Sequence, residues 1–365
     1  MAYGTRAAPI STGYDVVLSH RCDPTFATTA EQDGKVIEVT PEYLKVRYKD
    51  GTIQTVQLGR IFGTVTGHAV PHTLATTMTV GRGFKAGDNL AYNSGFFEPD
   101  YRNTAQVRWK SGVPSYVFLD ETNDNFEDSS RISRRLATHL RTDTSHIRTC
   151  TMRFDQFPVD ALKVNAEVDI DTLLMQISDD VAESVRKDAA GARSMLIDMG
   201  AGSPKAKHHG RIERITCVYF GDKEAMHPRL REFVNKFDSY QAKQHKLYGE
   251  GVAKSCRISE PVRVDGNLLE FNNVAFQYYI TDVTAMGDGD KLVVANQLKS
   301  VITGVIDGVY ETATEVFPGK GPLQGDVDFS YRAVQARIVN SPILMGIGAL
   351  CQEQAGYDIA DAYFN

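Results

Sequence analysis

Three groups of residues in this 365-residue chain have the types and spacing to do chemistry on an anion or a metal. The first is Asn125-Phe-Glu-Asp128, where Glu127 and Asp128 stand at a strand-to-helix junction. Acids there either satisfy the free N–H groups and dipole of a helix start, an effect of about 0.5–2 kcal/mol, or face a cation-bearing substrate. The second is Gly289-Asp-Lys291 with Lys299 eight residues on. Even spacing places both ammonium groups on one face of an extended strand, about 26 Å apart if the strand runs straight. For both to meet one small anion the chain must fold back between them, at Asn296-Gln297. The third is Arg332 and Arg337 in Tyr331-Arg-Ala-Val-Gln-Ala-Arg-Ile, where the planar guanidinium fork suits phosphate oxygens. Taken singly, each group also has a structural explanation: a helix cap, two surface lysines, a surface ion pair.

Other motifs fail. Gly319-Lys320-Gly321 lacks the hydroxyl residue and the glycine spacing of a phosphate-binding loop, and no H-E-x-x-H or G-x-S-x-G occurs. Asp120-Glu-Thr-Asn-Asp-Asn opens like a calcium loop. Its sixth position is Asn125 rather than glycine and its twelfth is Arg131 rather than glutamate. Asp288 and Asp290 read as a turn, because Met286-Gly287 stands where a third metal-holding carboxylate would be needed. His208-His209, adjacent in a basic loop, reads as solvated.

The elements that must position these residues read as β-rich, then α/β, then β-rich. Residues 35–40, 43–48 and 52–58 alternate apolar and polar side chains at period two, with Asp50-Gly51 as a tight turn. Gly81 to Leu90 is a glycine-punctuated turn between short strands. Ile132, Leu136, His139 and Leu140 fall on one helical face, capped by Asp128 or Ser129. The segment Arg131 to Arg148 carries five arginines against one aspartate and faces either nucleic acid or solvent. A helix is expected over Val181 to Asp198, a strand through Ile212 to Phe220, and a one-striped helix from Leu230 to Gln244. These divide the chain into 1–148, an inserted 149–260, and 261–365.

Composition sets outer limits. Hydrophobic residues are 42%, charged residues 24% and net charge is −6, so the chain is no uniformly basic nucleic-acid coat, although a local basic channel is compatible with that sum. No apolar run is long enough for a spanning helix and the N-terminus has no apolar leader core. Five dispersed cysteines without a C-x-x-C pair point to a reducing, intracellular setting.

The three groups occur in the order and surroundings of one family. The chain resembles the C-terminal half of the β (second-largest) subunit of multisubunit DNA-directed RNA polymerases. Tyr116-Val-Phe-Leu…Asn125-Phe-Glu-Asp looks like that family's strand ending in N-[FY]-E-D. Met286-Gly-Asp-Gly-Asp-Lys291…Lys299-Ser-Val-Ile is similar to its G-D-K…N-K-G-V-I, and Val327-Asp-Phe…Ala333-Val-Gln-Ala-Arg337 to its V-D…N-P-x-G-V-P-S-R. Gly81 to Leu90 resembles its G-x-x-V-x-x-G-D-x-L turn, and Gly210 to Phe220 with the helix from Leu230 resembles its flap. The small size is similar to the split subunits of giant tailed phages. Two departures stand out: Leu292-Val-Val-Ala-Asn-Gln-Leu replaces the family's glycines and histidine, and Ser-Tyr-Arg-Ala replaces N-P-x-G.

The resemblance implies a mainly β fold with an α+β insertion, a double-psi β-barrel interrupted by a flap. It implies template-directed nucleotidyl transfer, with Mg2+ held by aspartates of a separate β′ chain. Lys291 and Lys299 would contact the RNA 3′ end and the triphosphate, and Arg337 the β/γ-phosphate oxygens. Glu127 and Asp128 would lie near the second magnesium through water, and Arg131, Arg134 and Arg135 against nucleic acid. Partners would be an N-terminal β fragment, β′ fragments, template DNA, RNA and nucleoside triphosphates, with no membrane. The setting would be host cytoplasm or a virion. The alternative is a β-rich viral scaffold protein without catalysis; a stand-alone barrel hydrolase lacks any complete nucleophile or metal set.

Overall fold

The computed structural model describes residues 2–10, 13–65, 68–180, 203–295, 297–307, 311–337 and 340–364. The helix expected over Val181 to Asp198 lies outside them. The fold is mainly β, built from several sheets, and among the described residues none of these closes on itself. No helix among them is long and apolar enough to cross a membrane.

The chain divides into two compact units. The first contains residues 1–61, 72–143 and 284–365; the second contains 62–71 and 144–283. Within the first unit, Gly34–Val39, Tyr43–Tyr48 and Ile53–Gln57 form an antiparallel meander, extended by Gly83–Phe84. The period-two pattern explains its packing. Val36, Leu44, Val46 and Tyr48 turn inward, while Lys35, Arg47 and Lys49 remain outside. Gly34 has to be glycine, because a Cβ there would lie 2.5 Å from the Arg47 carbonyl oxygen and 2.6 Å from the Phe84 ring.

The other sheet of this unit carries the residues of interest. Its strand order is Val117–Asp120, Val327–Ser330, Ser129–Ser133, Leu298–Ile306 and Lys291–Val294. In the first four of these, strands from before and after the second unit alternate, and two of the four pairings are parallel. Ile132, Leu298, Ile302, Val327 and Phe329 form its core with Leu136 and Val334.

One expected helix is corrected. The helix expected through Ile132, Leu136, His139 and Leu140, capped at Asp128 or Ser129, starts later and is shorter. Ser129–Ser133 is a strand, Arg134–His139 a short helix, and Thr142–Arg153 a long strand. The side chain of Ser133 caps that helix by accepting from the Leu136 N–H at 3.1 Å. The polar, β-branched run Thr142-Asp-Thr-Ser favours extension over helix. The C-terminal stretch resolves into Val327–Ser330, Tyr331–Ala336 and a 23-residue helix, Ser341–Tyr363.

In the second unit Thr142–Arg153, Asn273–Thr284, Gly210–Phe220 and Glu167–Val168 pair in that order. The helix Pro228–Tyr248 starts on a proline, pre-set for the first turn, and stops before Gly249 at φ 78°. It buries Leu230 and Val234, and its Phe233 and Phe237 rings lie 5.2 and 5.5 Å from Phe276. Asp238 ties this helix to its surroundings. It accepts from Lys223 Nζ and from the Cys256 N–H, both at 2.8 Å, and from the Tyr219 hydroxyl at 3.3 Å. Burial pushes the Asp238 carboxyl up, but the Lys223 ammonium and the Cys256 N–H outweigh it and leave the pKa below the usual aspartate value. A depressed carboxyl stabilises the fold above its unfolded pKa, and that contribution is lost as pH falls through the folded value. Asp238→Asn is expected to lower stability at pH 7 by about 1–3 kcal/mol in urea denaturation, with the gap from wild type closing below about pH 4.

Candidate functional site

The three residue groups meet on the five-stranded sheet. Lys291–Val294 and Leu298–Ile306 form an antiparallel hairpin in which Val293 faces Lys299 and Lys291 faces Val301. The chain therefore does fold back between the two lysines. Ala295, at φ 53°, begins the reversal. Directly opposed residues in an antiparallel pair share a face, so Lys291, Val293, Lys299 and Val301 stand together on the outside. Leu298, Ser300 and Ile302 are buried. Lys291 and Lys299 are diagonal neighbours, roughly 7–8 Å apart at the backbone rather than about 26 Å. Two ammonium groups so placed can share one polyanion.

The acidic motif lies along the adjoining strand. Ser129 pairs with Val301 in parallel register, and the Asp128 carbonyl accepts the Val301 N–H at 2.8 Å. Asp128 is thus one strand away from the lysine face, and its Oδ1 receives Arg337 Nη2 in an ion pair. Arg337 comes from just beyond the Tyr331–Ala336 helix, which Ser330 caps at the Ala333 N–H, 3.4 Å away. Its other amino group, Nη1, is buried without a hydrogen-bond partner among the described residues. Glu127 is exposed and holds φ 56°, a left-handed conformation that L side chains rarely adopt. That kink ends the acidic loop and turns the chain into the Ser129–Ser133 strand. Arg332, the other member of the third group, pairs with Glu121 at 2.9 Å and lies 5.7 Å above the Phe126 ring.

Beneath this surface is a polar network that the sequence pattern does not announce. Asp328 is completely buried on the central Val327–Ser330 strand. Asn125 Nδ2, also fully buried, donates to its Oδ1 at 2.7 Å, and Arg131 donates to its Oδ2 from Nη2 at 2.6 Å and from Nε at 3.1 Å. The Asn125 carbonyl oxygen also accepts the Thr122 N–H at 2.5 Å, which closes the 122–125 turn. Thr303 Oγ1 donates to the Asp124 carbonyl at 2.5 Å, and Ser130 and Ser300 share a buried hydroxyl contact. The loop holding Glu127 and Asp128 is therefore anchored from below. The signal in sequence was the apolar-flanked Val327-Asp328-Phe329, since an aspartate inside a core strand needs a partner.

The three arginines considered for nucleic acid all carry carboxylate partners. Arg131 is spent on Asp328 and Asp124, Arg134 pairs with Asp307 at 2.6 Å, and Arg135 with the buried Asp326 at 2.7 Å. The Asp307 hydrogen bond raises the Arg134 pKa further. They do not form a free basic stripe. Asp288 and Asp290 stand in a turn, with Gly289 at φ 86° and Asp290 Oδ2 accepting the Gly287 N–H at 2.9 Å. His208 stacks on His146 at 3.6 Å and His209 pairs with Asp282 at 2.9 Å, in the other unit.

Among the described residues no group of three or more His, Cys, Asp or Glu side chains is arranged to hold a metal ion. Asp128 is engaged by Arg337 and Glu127 is exposed, so among the described residues these two acids form no such cluster. Compared with protein-family models and with curated proteins, the chain matches none.

Removing one partner from a buried charge pair typically costs about 3–5 kcal/mol. Asp328→Ala is expected to lower unfolding free energy in guanidinium titrations by that amount. Asp328→Asn, which keeps the shape and one acceptor, should cost less. Equal, sub-kilocalorie losses in both variants would show that the network does not anchor the sheet.

Proposed function

We propose that this chain is a C-terminal β-type fragment of a multisubunit DNA-directed RNA polymerase, supplying cations to the nucleotide end of the site. The observation that carries the reading is the convergence of the three groups. Asp128 and Arg337, 209 positions apart in sequence, and Lys291 and Lys299 are brought together around a single sheet. The alternation of early and late strands, with two parallel pairs, supports reading that sheet as part of a double-psi β-barrel, with the second unit as the flap-bearing insertion.

In this reading the triphosphate lies over the hairpin face. Lys291 and Lys299 are compact, rotatable point charges that neutralise oxygens without fixing their angle. Arg337 is a fork tethered at one corner by Asp128. Substrate phosphate competes with Asp128 for it, so the ion pair orients the guanidinium before the nucleotide arrives and yields to a doubly charged phosphate. Phosphoryl and nucleotidyl transfer depend on positioning and on charge neutralisation in the transition state. Magnesium, which such a reaction uses, is assigned to a β′ chain.

The exposed, apolar Ser341–Tyr363 helix fits a chain that works inside an assembly. Leu344 and Ile347 are 67% and 53% exposed, and contiguous apolar surface of this kind marks an interface. Self-assembly through that helix, with no synthesis, is what the scaffold alternative requires.

Two substitutions, made in the enzyme purified with its partner chains, test the roles. Lys291→Ala is expected to slow RNA extension about 10-fold or more, in line with removal of a transition-state charge. Arg337→Lys keeps the charge but loses the fork, and is expected to raise the KM for nucleoside triphosphates or lower turnover. Wild-type extension kinetics in both would remove the hairpin and Arg337 from the reaction.

A further inference from the structure

The outer face of the meander in the first unit carries charges in rows, and one row is unbalanced. Cross-strand register places Asp33 beside Lys49, whose ammonium it holds at 2.6 Å, and at the far end Glu38 opposite Lys45, held at 3.2 Å. Each of these rows matches an anion with a cation. The row between them reads Gly83, Lys35, Arg47, Ile53 across four strands. Lys35 and Arg47 are directly opposed, and no carboxylate stands on either side of them. Like charges in directly opposite positions repel and destabilise a sheet. Neither cation has an ion-pair partner among the described residues, in contrast to their neighbours.

Lys35 and Arg47 line a groove of about 910 Å³, to which Lys49 and Lys85 add two further cations. Two carboxylates, Asp33 and Asp88, line it against these four cations, which leaves the cations in excess. Asp33 binds Lys49 and the Ala86 N–H at 3.0 Å, and Asp88 accepts the Lys85 N–H at 2.8 Å. Lys49 and the Ala86 N–H lower the Asp33 pKa, so it stays an occupied anion. The Lys35 side chain runs along the Gly81 to Gly83 turn, with Cε 4.0 Å from the position of a Gly81 Cβ. Absence of side chains at Gly81 and Gly83 keeps this flank low and the groove open-ended. The cations lie across the groove as a band, on a chain whose overall charge is −6.

We propose that this groove binds the phosphate backbone of a nucleic-acid strand, with Lys35, Arg47 and Lys85 on consecutive phosphates. An open-ended channel with a cationic wall tracks a linear polyanion, whereas a closed pocket would select a small one. Charge without base-reading geometry suits contact with the phosphate backbone. The site does not involve the lysine hairpin and does not depend on the polymerase reading.

The test uses the full chain and a fluorescein-labelled 20-nucleotide single-stranded DNA, followed by anisotropy across a salt series. The double variant Lys35→Gln/Arg47→Gln is compared with Lys243→Gln/Lys246→Gln, which makes the same charge change on the exposed face of the other unit's helix. Each lost phosphate contact reduces the slope of log affinity against log salt by about 0.7 for a single strand. The groove variant should lose about 1.4 in slope and 10-fold or more in affinity at low salt, and the control variant neither. Because the two cations repel in the free protein, the groove variant should also melt at a higher temperature than wild type at low salt, and the oligonucleotide should raise the melting temperature of wild type and of the control variant but not of the groove variant. Equal losses in both variants, or an unchanged slope in the groove variant, would overturn the proposal. So would binding of inorganic tripolyphosphate at the groove without oligonucleotide binding, which would make it a small-anion site.

Discussion

A carboxylate with no access to water organises the part of the molecule that matters most. Asp328 sits in the middle of the five-stranded sheet, where an unpaired charge would be prohibitively unfavourable. Its two oxygens divide between an amide from the acidic loop and a guanidinium from the following strand. Those partners come from residues some two hundred positions upstream, so the sheet forms with this pairing only when both ends of the chain are in place. The loop at 120–128 has little apolar content of its own; Asn125, pulled under the surface by Asp328, is what fixes it. Once fixed, the loop sets Asp128 beside Val301 and within reach of Arg337, and the hairpin with Lys291 and Lys299 registers against the same strand.

The surface above this network differs chemically from its support. Below, both oxygens of Asp328 are held, one by Asn125 and one by Arg131. Above, Lys291 and Lys299 are diagonal neighbours among exposed valines, and Arg337 has one amino group on Asp128 and one with no partner among the described residues. A charge-balanced base carrying an unbalanced face is the arrangement expected of a site that receives an anion, because the missing charge arrives with the ligand. The meander repeats this logic independently, with matched rows on either side of an unmatched one.

Much of this was legible in sequence, for reasons that can be named. The meander strands are half-buried, and period-two alternation is strongest in such strands. The helix at Pro228–Tyr248 has a proline start, an aromatic stripe and a glycine stop. The fold-back between the lysines followed from reach alone: an extended strand holds them too far apart to share a ligand. The segment 132–140 misled because Ile132, Leu136 and Leu140 satisfy a helical period by coincidence of a strand's inward residue with a short helix's buried face. Ser133, not Asp128 or Ser129, is the cap that separates them. The Asn125–Asp328–Arg131 network was out of reach because it joins residues distant in sequence through buried polar contacts, which leave no periodicity. The same holds for the arginines at 131–135. Their clustering suggested a basic stripe, but their carboxylates, Asp326, Asp328 and Asp307, come from the other end of the chain.

The central claim is that this chain works as part of an RNA-synthesising assembly. The most direct measurement is affinity capture of the tagged chain from the cells that produce it, with mass spectrometry of its partners and radiolabelled nucleotide incorporation on the eluate. The account predicts a partner chain carrying an Asp-Phe-Asp-Gly-Asp motif, together with RNA synthesis that requires added template. A chain recovered only with copies of itself or with particle proteins, and without template-dependent incorporation, would contradict it.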